Sequence, residues 1–332
     1  MAATSQAQRL HARVLLVPLV PLVLLLPLVL LLPGCSSSAS HTDPPDWRDL
    51  NVVDIHAHLG SFGTFDLRLE TLLGYIERSR VRLALVSNLD GSSALPTRQL
   101  GSSAANQVTL ETVRRHPGRL RGLLWANPAG ATAAELEPFV AATIDGKPAG
   151  ERAFVGLKLH PDFDRFLADD RRVDPFLELC RRHQLVAVFH AGPPGGPSAP
   201  ERITAAARRH PTVPVVLYHM GADGFDGGSG DGQKAAIAVV EKSLAAGDAN
   251  LYLETSQTAV KWIVEAVRRV GEDRVLFGTD ATYYGAEHFE TYAPVVSRLR
   301  RELSAPALAA VMGGNARRLF RLGAGPGPLS GG

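Results

Sequence analysis

Cysteine is almost absent from this 332-residue chain, which holds only Cys35 and Cys180. Two cysteines exclude a disulfide-rich scaffold. Aromatic residues make up 6% of the chain, charged residues 20% and hydrophobic residues 45%. This composition is typical of a globular protein and not of a disordered or collagen-like one.

An excess of charge of one sign is lacking as well. The formal net charge is +2, and Arg9 and Arg13 within the first 34 residues contribute two positive charges. The rest of the chain is therefore balanced, which argues against nucleic acid or an acidic membrane surface as a partner. Its length suits one large domain.

Long apolar runs are confined to one place, Val14–Leu32, which follows the two arginines and ends at Pro33-Gly34-Cys35. A basic segment, an apolar segment and a small residue predict a secretory signal peptide over residues 1–34. The end of the run resembles the lipobox of bacterial lipoproteins, although Pro33 departs from it. The resemblance implies that Cys35 carries the lipid and becomes the new N-terminus.

The alternative is an uncleaved membrane anchor. The run is barely long enough to span a bilayer, and Pro18, Pro21 and Pro27 each remove a helix hydrogen bond. The lipoprotein interpretation is therefore favoured. Under either interpretation the domain lies outside the cytoplasm, and residues 35–47 are expected to form the lipidated cysteine and a polar tether.

Strand-like apolar runs alternate with amphipathic helical patterns along the rest of the chain. The runs start near Val52, Arg82, Arg119, Phe154, Leu185, Val213, Asn250 and Arg274. Eight such units predict an α/β fold, a single (β/α)8 TIM barrel over residues 48–322. The helical patterns include one that runs from Ala133 to Ile144. The Gly- and Pro-rich tail, residues 323–332, is expected to be disordered.

Eight of the eleven histidines fall into two positional groups. His116, His183 and His210 follow similar basic runs and are interpreted as helix-end residues, as Cys180 is interpreted as a buried helix residue. Five others lie at strand ends, where the active site of a barrel is built: His56, His58, His160, His190 and His219.

The first strand pairs two of these histidines. Because side chains alternate along a strand, Asp54, His56 and His58 are expected to point inward, and Val53, Ile55 and Ala57 toward the helices. His190, His219 and Asp280 end three further apolar strands. Imidazole and carboxylate groups suit zinc, iron or manganese, so a divalent metal site is predicted.

The motifs DIHAH, GLKLHP, FHAG, YHMG and FGTD, with a closing GGNARRLF, resemble the amidohydrolase superfamily, in the branch that includes aminocarboxymuconate-semialdehyde decarboxylase. The likeness runs from about Asn51 to Arg321. It implies that His56, His58, His190 and Asp280 bind the metal. It also implies that His219 is either a catalytic residue or the ligand of a second ion.

Three residues near this set have open roles. Asp54 is expected to orient a ligand histidine through its second ring nitrogen. Lys158 is interpreted as a carboxylated bridge between two ions, as a charged substrate anchor, or as a buried partner of an acid such as Glu254. His160 is expected at the pocket rim, where it contacts substrate or a second metal ion or caps the strand. Asn88, Asn127 and Glu254 are weaker candidates for substrate contacts.

The resemblance implies a metal-dependent hydrolase of a small molecule with an amide, ester or lactone bond. A metal lowers the pKa of bound water, and Asp280 and His219 would transfer protons. One alternative is a decarboxylase on the same metal site, which needs a cation or a metal to hold the leaving carboxylate. Arg152 and Arg165 flank the fourth strand, but nothing in the sequence places them in the pocket. The other is a non-catalytic binding lipoprotein. Zinc is the expected metal, with one or two ions.

Overall fold

A computed structural model describes residues 47–93, 97–146, 150–222 and 229–323. The predicted signal peptide, Cys35 and the tether up to residue 46 lie outside these ranges, as does the predicted tail from residue 324. Among the helices of the described ranges, none combines the length and the apolar character needed to cross a bilayer.

The eight strands form one parallel sheet in chain order, β1 to β8. Nearly every strand residue is buried, as expected for a parallel sheet covered on both faces. The bounds are β1 Val53–Leu59, β2 Leu83–Asn88, β3 Leu120–Ala126, β4 Phe154–Leu159, β5 Val186–His190, β6 Pro214–Tyr218, β7 Asn250–Glu254 and β8 Val275–Leu276.

Backbone hydrogen bonds between β1 and the residues after β8 close the sheet into a barrel. The N–H of Ile55 donates to the carbonyl of Phe277 (3.1 Å), and the N–H of Ala281 donates to the carbonyl of His56 (2.9 Å). The predicted (β/α)8 barrel is confirmed, and each observed strand starts within one residue of its predicted start.

The connecting α-helices cover the outside of the barrel, except that the short α4 lies at the carboxyl ends of the strands. Their bounds are α1 Leu69–Ser79, α2 Ser102–Arg115, α3 Glu137–Val140, α4 Pro161–Asp164, α5 Asp174–His183, α6 Pro200–Arg209, α7 Asp231–Ala246, α8 Val260–Val270, α9 His288–Glu302, α10 Ala305–Ala309 and α11 Asn315–Leu319.

The third connection is less helical than predicted. A short 3-10 turn, Ala133–Leu136, leads into α3, which ends at Val140, four residues before the predicted end. Beyond it the chain is extended: the N–H of Ile144 donates to the carbonyl of Glu151 (2.9 Å), and Thr143 bridges Arg152. The β-branched pair Thr143-Ile144 satisfies its backbone in this pairing instead of in a helix.

The interpretation of the helix-end residues is correct. His183 is the last residue of α5, and His116 and His210 directly follow α2 and α6. His183 contacts the carboxylate of Glu137 (3.0 Å), and His210 contacts that of Asp174 (3.3 Å). Both lie just before the start of a strand and not at a carboxyl end. Cys180 is a fully buried free cysteine on α5, as predicted.

The predicted orientation of the first half of β1 is wrong. Val53 and Ile55 pack inside the barrel with apolar residues of six other strands, such as Leu85 and Val188. Asp54 points outward to Tyr75 on α1 (2.9 Å). The pairing with β2 shifts register between Asp54 and Ala57. This irregularity lets two consecutive residues, Ile55 and His56, both contact interior groups. Strict alternation of side chains along a strand does not permit this.

Phe320, after α11, completes the same interior cluster near the start of β4. Its side chain is buried, so Phe320→Ala is expected to lower the free energy of unfolding by about 3 to 5 kcal/mol through lost burial and a cavity. Urea denaturation measures this. Leu100→Ala, at a 41% exposed residue, is the control and should change stability by less than about 0.5 kcal/mol. Equal changes in the free energy of unfolding in the two variants would contradict the burial of Phe320 in this cluster.

Candidate metal centre

The carboxyl ends of the strands surround one cavity of about 470 Å³, a size that suits a small molecule. Parallel strands bring residues that are distant in sequence to this one end. The predicted site residues that line it are His56, His58, Lys158, His160, His190, His219 and Asp280.

Three of these residues have potential ligand atoms that converge. The Nε2 atoms of His56 and His58 lie 3.1 Å apart, and Oδ1 of Asp280 lies 3.3 Å from the first and 3.2 Å from the second. Two imidazole nitrogens and one carboxylate oxygen at such separations fit a single divalent ion. The donor set is therefore suited to the metal that the sequence predicts.

His190, the fourth predicted ligand, lies in the same cavity but belongs to a different group. Its ring stacks on that of His160, with centroids 3.9 Å apart, and its Nε2 is 3.6 Å from Asp162. Its ring centroid is also 4.9 Å from that of His219. Among the described residues, His190 therefore lies next to His219 and is not one of the three groups whose ligand atoms converge.

His219 follows β6 and is held from both its ring and its backbone. Its Nδ1 lies 2.8 Å from the hydroxyl of Ser256, and its backbone N–H donates to Glu254 (3.1 Å). Burial lowers the pKa of His219 to about 4, so the ring is neutral at pH 7. His219 and Asp280 both have a positive φ, 61° and 60°. Such backbone strain in non-glycine residues often accompanies functional sites.

Asp280 is an ionised carboxylate in this setting. Burial alone would raise its pKa, but the hydrogen bond from His58 and the surrounding positive groups lower the pKa below its usual range. The amide of Gln257 donates to Oδ2 (2.6 Å), which leaves Oδ1 toward the two histidines. The sequence reasoning missed Gln257, although its position just after β7 is the signal that picked out the other candidates.

Asp54 does not orient a histidine ring, contrary to the prediction. Its carboxylate accepts hydrogen bonds from the backbone N–H of His56 (3.0 Å), from Tyr75 and from both N–H and hydroxyl of Thr279. Because Asp54 points outward, the ring of His56 takes other partners. Its Nδ1 lies 3.2 Å from Glu254 and 3.0 Å from Ser256.

Lys158 is a fully buried lysine beneath the converging groups. Its Nζ lies 3.4 Å from Nε2 of His56 and 4.0 Å from the ring centroid of Tyr218. Within the described residues it forms no salt bridge with Glu254, so that interpretation lacks the expected contact. Burial lowers the pKa of Lys158 to about 7 and raises that of Glu254 to about 8. The bridging and substrate-contact interpretations of Lys158 stay predictions.

Lys158→Met is expected to raise the free energy of unfolding of the metal-free protein by about 2 to 4 kcal/mol at pH 7, because the cost of burying the ammonium exceeds its attraction to Asp280 and Glu254. The unfolded chain keeps this proton up to about pH 10.5, whereas the folded protein releases it near pH 7. For this group the unfolded state binds more protons in between, so the contribution of Lys158 to wild-type stability rises with pH across that window. Urea denaturation should therefore show a difference in free energy of unfolding between variant and wild type that shrinks toward pH 10. A difference independent of pH would contradict the expectation.

The remaining candidates have local structural contacts. His160 lines the cavity and caps α4, where its Nδ1 accepts from the N–H of Phe163 (3.3 Å). The side chain of Asn88 accepts from the N–H of Asp90 (3.0 Å), and that of Asn127 accepts from the N–H of Ala129 (3.0 Å). Both asparagines thus satisfy loop backbone groups.

An aromatic wall faces the polar side of the cavity, and the sequence reasoning did not predict it. Phe65 stacks on Phe62 (5.3 Å between centroids) and on Tyr283 (4.3 Å), and Phe163 lies 5.4 Å from Phe62. These rings come from loops after β1, β4 and β8, so only the fold brings them together. A planar apolar group in the cavity can pack against such rings.

Comparison with known proteins gives one family match. A family model described as amidohydrolase matches residues 53–322, most of the chain. Among curated proteins, none matches.

Several solved structures are similar in fold. A 2,6-dihydroxybenzoate decarboxylase from Rhizobium has 18% identity and a TM-score of 0.60, covering 82% of this chain and 99% of that one. A dihydroxybenzoic acid decarboxylase from Polaromonas, with bound manganese and the inhibitor 2-nitroresorcinol, has 18% identity and a TM-score of 0.59, covering 82% and 97%. A putative 2-pyrone-4,6-dicarboxylic acid hydrolase from Pseudomonas putida has 17% identity and a TM-score of 0.59, covering 82% and 98%. At these identities the likeness extends to the fold alone.

Proposed function

The chain belongs to the amidohydrolase family, and from this premise we propose that it is a metal-dependent hydrolase of an amide, ester or lactone bond in a small molecule. The observation that carries the proposal is the convergence of His56, His58 and Asp280 within 3.1 to 3.3 Å at the base of a cavity. Membership of the family makes the chain an enzyme, which removes the alternative of a non-catalytic binding protein.

The proposed ligands are His56, His58 and Asp280, with His190 as a fourth. A divalent ion bound there supplies a Lewis acid that polarises a substrate carbonyl and lowers the pKa of water. Zinc is the first metal to test because two imidazoles and a carboxylate are frequent zinc ligands. Manganese is the second, since the similar decarboxylase from Polaromonas contains it.

The proton transfers are assigned to two residues. The ionised Asp280 can accept a proton from the attacking water, and Gln257 holds its Oδ2 in place (2.6 Å). His219 has its Nδ1 engaged by Ser256 (2.8 Å). Its Nε2 is then left to take up a proton and to return it to the leaving group.

Hydrolysis is favoured over decarboxylation because decarboxylation would depend on the proposed metal alone to hold the leaving carboxylate, as the described cavity lining offers few protein cations. Arg152 donates to the carbonyl of His183, and Arg165 is exposed on the turn after α4; neither lines the cavity. Lys158 is the single lysine or arginine among the described lining residues, and it lies under His56. Decarboxylation is the second candidate, because two of the similar structures are decarboxylases.

The test is a substrate-class screen with protein loaded separately with Zn²⁺, Mn²⁺ or Fe²⁺. Aryl esters, anilides and aromatic lactones probe hydrolysis, and hydroxylated benzoates probe decarboxylation. Carboxylate formation with proton release supports the proposal. Carbon dioxide release from a benzoate, without hydrolysis of the first three classes, would replace it with the second candidate.

The cell location is a separate proposal, supported by the sequence of residues 1–35 alone. We propose that the enzyme is an extracytoplasmic lipoprotein tethered through Cys35. A labelled fatty acid should be incorporated into the wild-type protein and not into Cys35→Ser. Equal labelling of both would contradict the lipid site.

A further inference from the structure

Ser256 is a fully buried residue two positions after the end of β7, and its hydroxyl contacts three polar groups of the site. Oγ lies 3.0 Å from Nδ1 of His56, 2.8 Å from Nδ1 of His219 and 2.8 Å from Oε2 of Glu254. One hydroxyl thus links a proposed metal ligand to the proposed proton-transfer histidine.

The direction of these hydrogen bonds follows from counting donors. A serine hydroxyl has one proton to donate and two lone pairs to accept with. Both oxygens of Glu254 already accept backbone N–H groups, from Ser256 itself and from His219 (3.1 Å). The serine hydroxyl donates its proton to the second of these oxygens, Oε2 of Glu254 (2.8 Å). The two serine lone pairs remain for the two imidazole rings.

We propose that Ser256 is a positioning residue that fixes one tautomer in two histidines at once: His56 and His219 both carry their proton on Nδ1, and both present the Nε2 lone pair to the site. A neutral imidazole has one donor and one acceptor nitrogen, and the partner of one nitrogen decides the role of the other. The Nε2 of His56 is the atom that lies beside His58 and Asp280.

Two consequences follow, and both rest on the proposed function. A ligand nitrogen must present a lone pair to the ion, so the correct tautomer of His56 is already set before binding. A base must likewise have its lone pair free, which the same hydroxyl ensures for His219. A serine also contacts the other histidine of β1: the hydroxyl of Ser87 lies 3.0 Å from Nδ1 of His58.

The tautomers can be measured in the metal-free protein by ¹⁵N NMR of the histidine rings near pH 9, where the carboxyl of Glu254 is ionised and accepts the serine proton. Signals are assigned with His56→Gln and His219→Gln variants. In the wild type, Nδ1 of both rings should show the shift of a protonated nitrogen and Nε2 that of an unprotonated one. In Ser256→Ala, at least one ring should shift toward the other tautomer or a mixture.

The affinity for Zn²⁺, measured by competition with a chromogenic chelator, is a second readout. Ser256→Ala should bind Zn²⁺ about 10- to 100-fold more weakly, the usual cost of removing a group that orients a ligand. Ser256→Thr retains the hydroxyl and should restore the wild-type tautomers. Ser243→Ala is the matched control, because Ser243 is equally buried on α7 and its hydroxyl has no partner among the described residues.

Tautomers unchanged in Ser256→Ala would overturn the inference, as would a wild type that carries its ring protons on Nε2. A wild type that binds no metal, but whose tautomers depend on Ser256, would support the inference and defeat the proposed function. An equal loss of Zn²⁺ affinity in Ser243→Ala would reduce the role of Ser256 to general packing and overturn the inference too.

Discussion

Replacement of both His56 and His58 with alanine is expected to reduce the bound metal from about one ion per chain to less than about a tenth of an ion. The two rings supply two of the three converging ligand atoms, and the remaining proposed ligands, Asp280 and His190, are too few to hold a transition metal at micromolar concentration. Metal content of the purified protein is measured by mass spectrometry after reconstitution with Zn²⁺ and removal of the excess.

A matched control is the double variant His183→Ala/His210→Ala. These histidines lie at the ends of α5 and α6 and contact Glu137 and Asp174, so this variant should retain its metal. Metal lost from both variants, or from neither, would contradict the proposed centre. Two ions per wild-type chain would instead favour the bridging interpretation of Lys158.

Asp280→Asn is expected to lower kcat by about 10³-fold on whichever substrate the screen identifies, since the amide neither carries the negative charge nor accepts the proton of the attacking water. Asparagine has nearly the same shape, so the loss would reflect charge and basicity and not packing. The low pKa of Asp280 means that the wild-type carboxylate stays ionised throughout the neutral range. Steady-state kinetics at pH 7.5, in saturating Zn²⁺, separates the loss in kcat from a change in KM.

The control for this variant is Asp273→Asn. Asp273 is an exposed residue just before β8, at the opposite end of the strand from the cavity. Its substitution should leave kcat within about twofold, because residues at this end of such barrels serve stability. If Asp280→Asn retained more than about a tenth of the wild-type kcat, the assignment of proton transfer to Asp280 would have to be abandoned.

The barrel could be predicted from the sequence because its signal is local and repeated eight times. Each apolar run has a length and flanking residues that specify a strand, and each helical pattern has its own apolar face. The segment after Val140 is the exception. Its backbone is satisfied by residues 151–153, and a pairing between segments cannot be found by inspecting one window of sequence.

The same distinction holds within the site. His56, His58, His219 and Asp280 could be identified because functional groups of a parallel barrel gather at the carboxyl ends of its strands. The role of Asp54 could not be predicted, because a shift in strand register reverses the face on which a residue lies. The orientation of the His56 ring by Glu254 and Ser256 depends on the approach of β7 to β1, about 200 residues away.

The sequence by itself determined the fold class, the end of the barrel that carries the site and the chemical types of the ligands, since each of these follows from periodic patterns and from residue chemistry. Only the tertiary structure decided which ligand atoms converge, that His190 pairs with His160, and that aromatic rings from three loops form one wall. These features depend on ångström-scale distances between side chains far apart in the chain. Such distances are set by packing of the whole barrel and not by any local pattern.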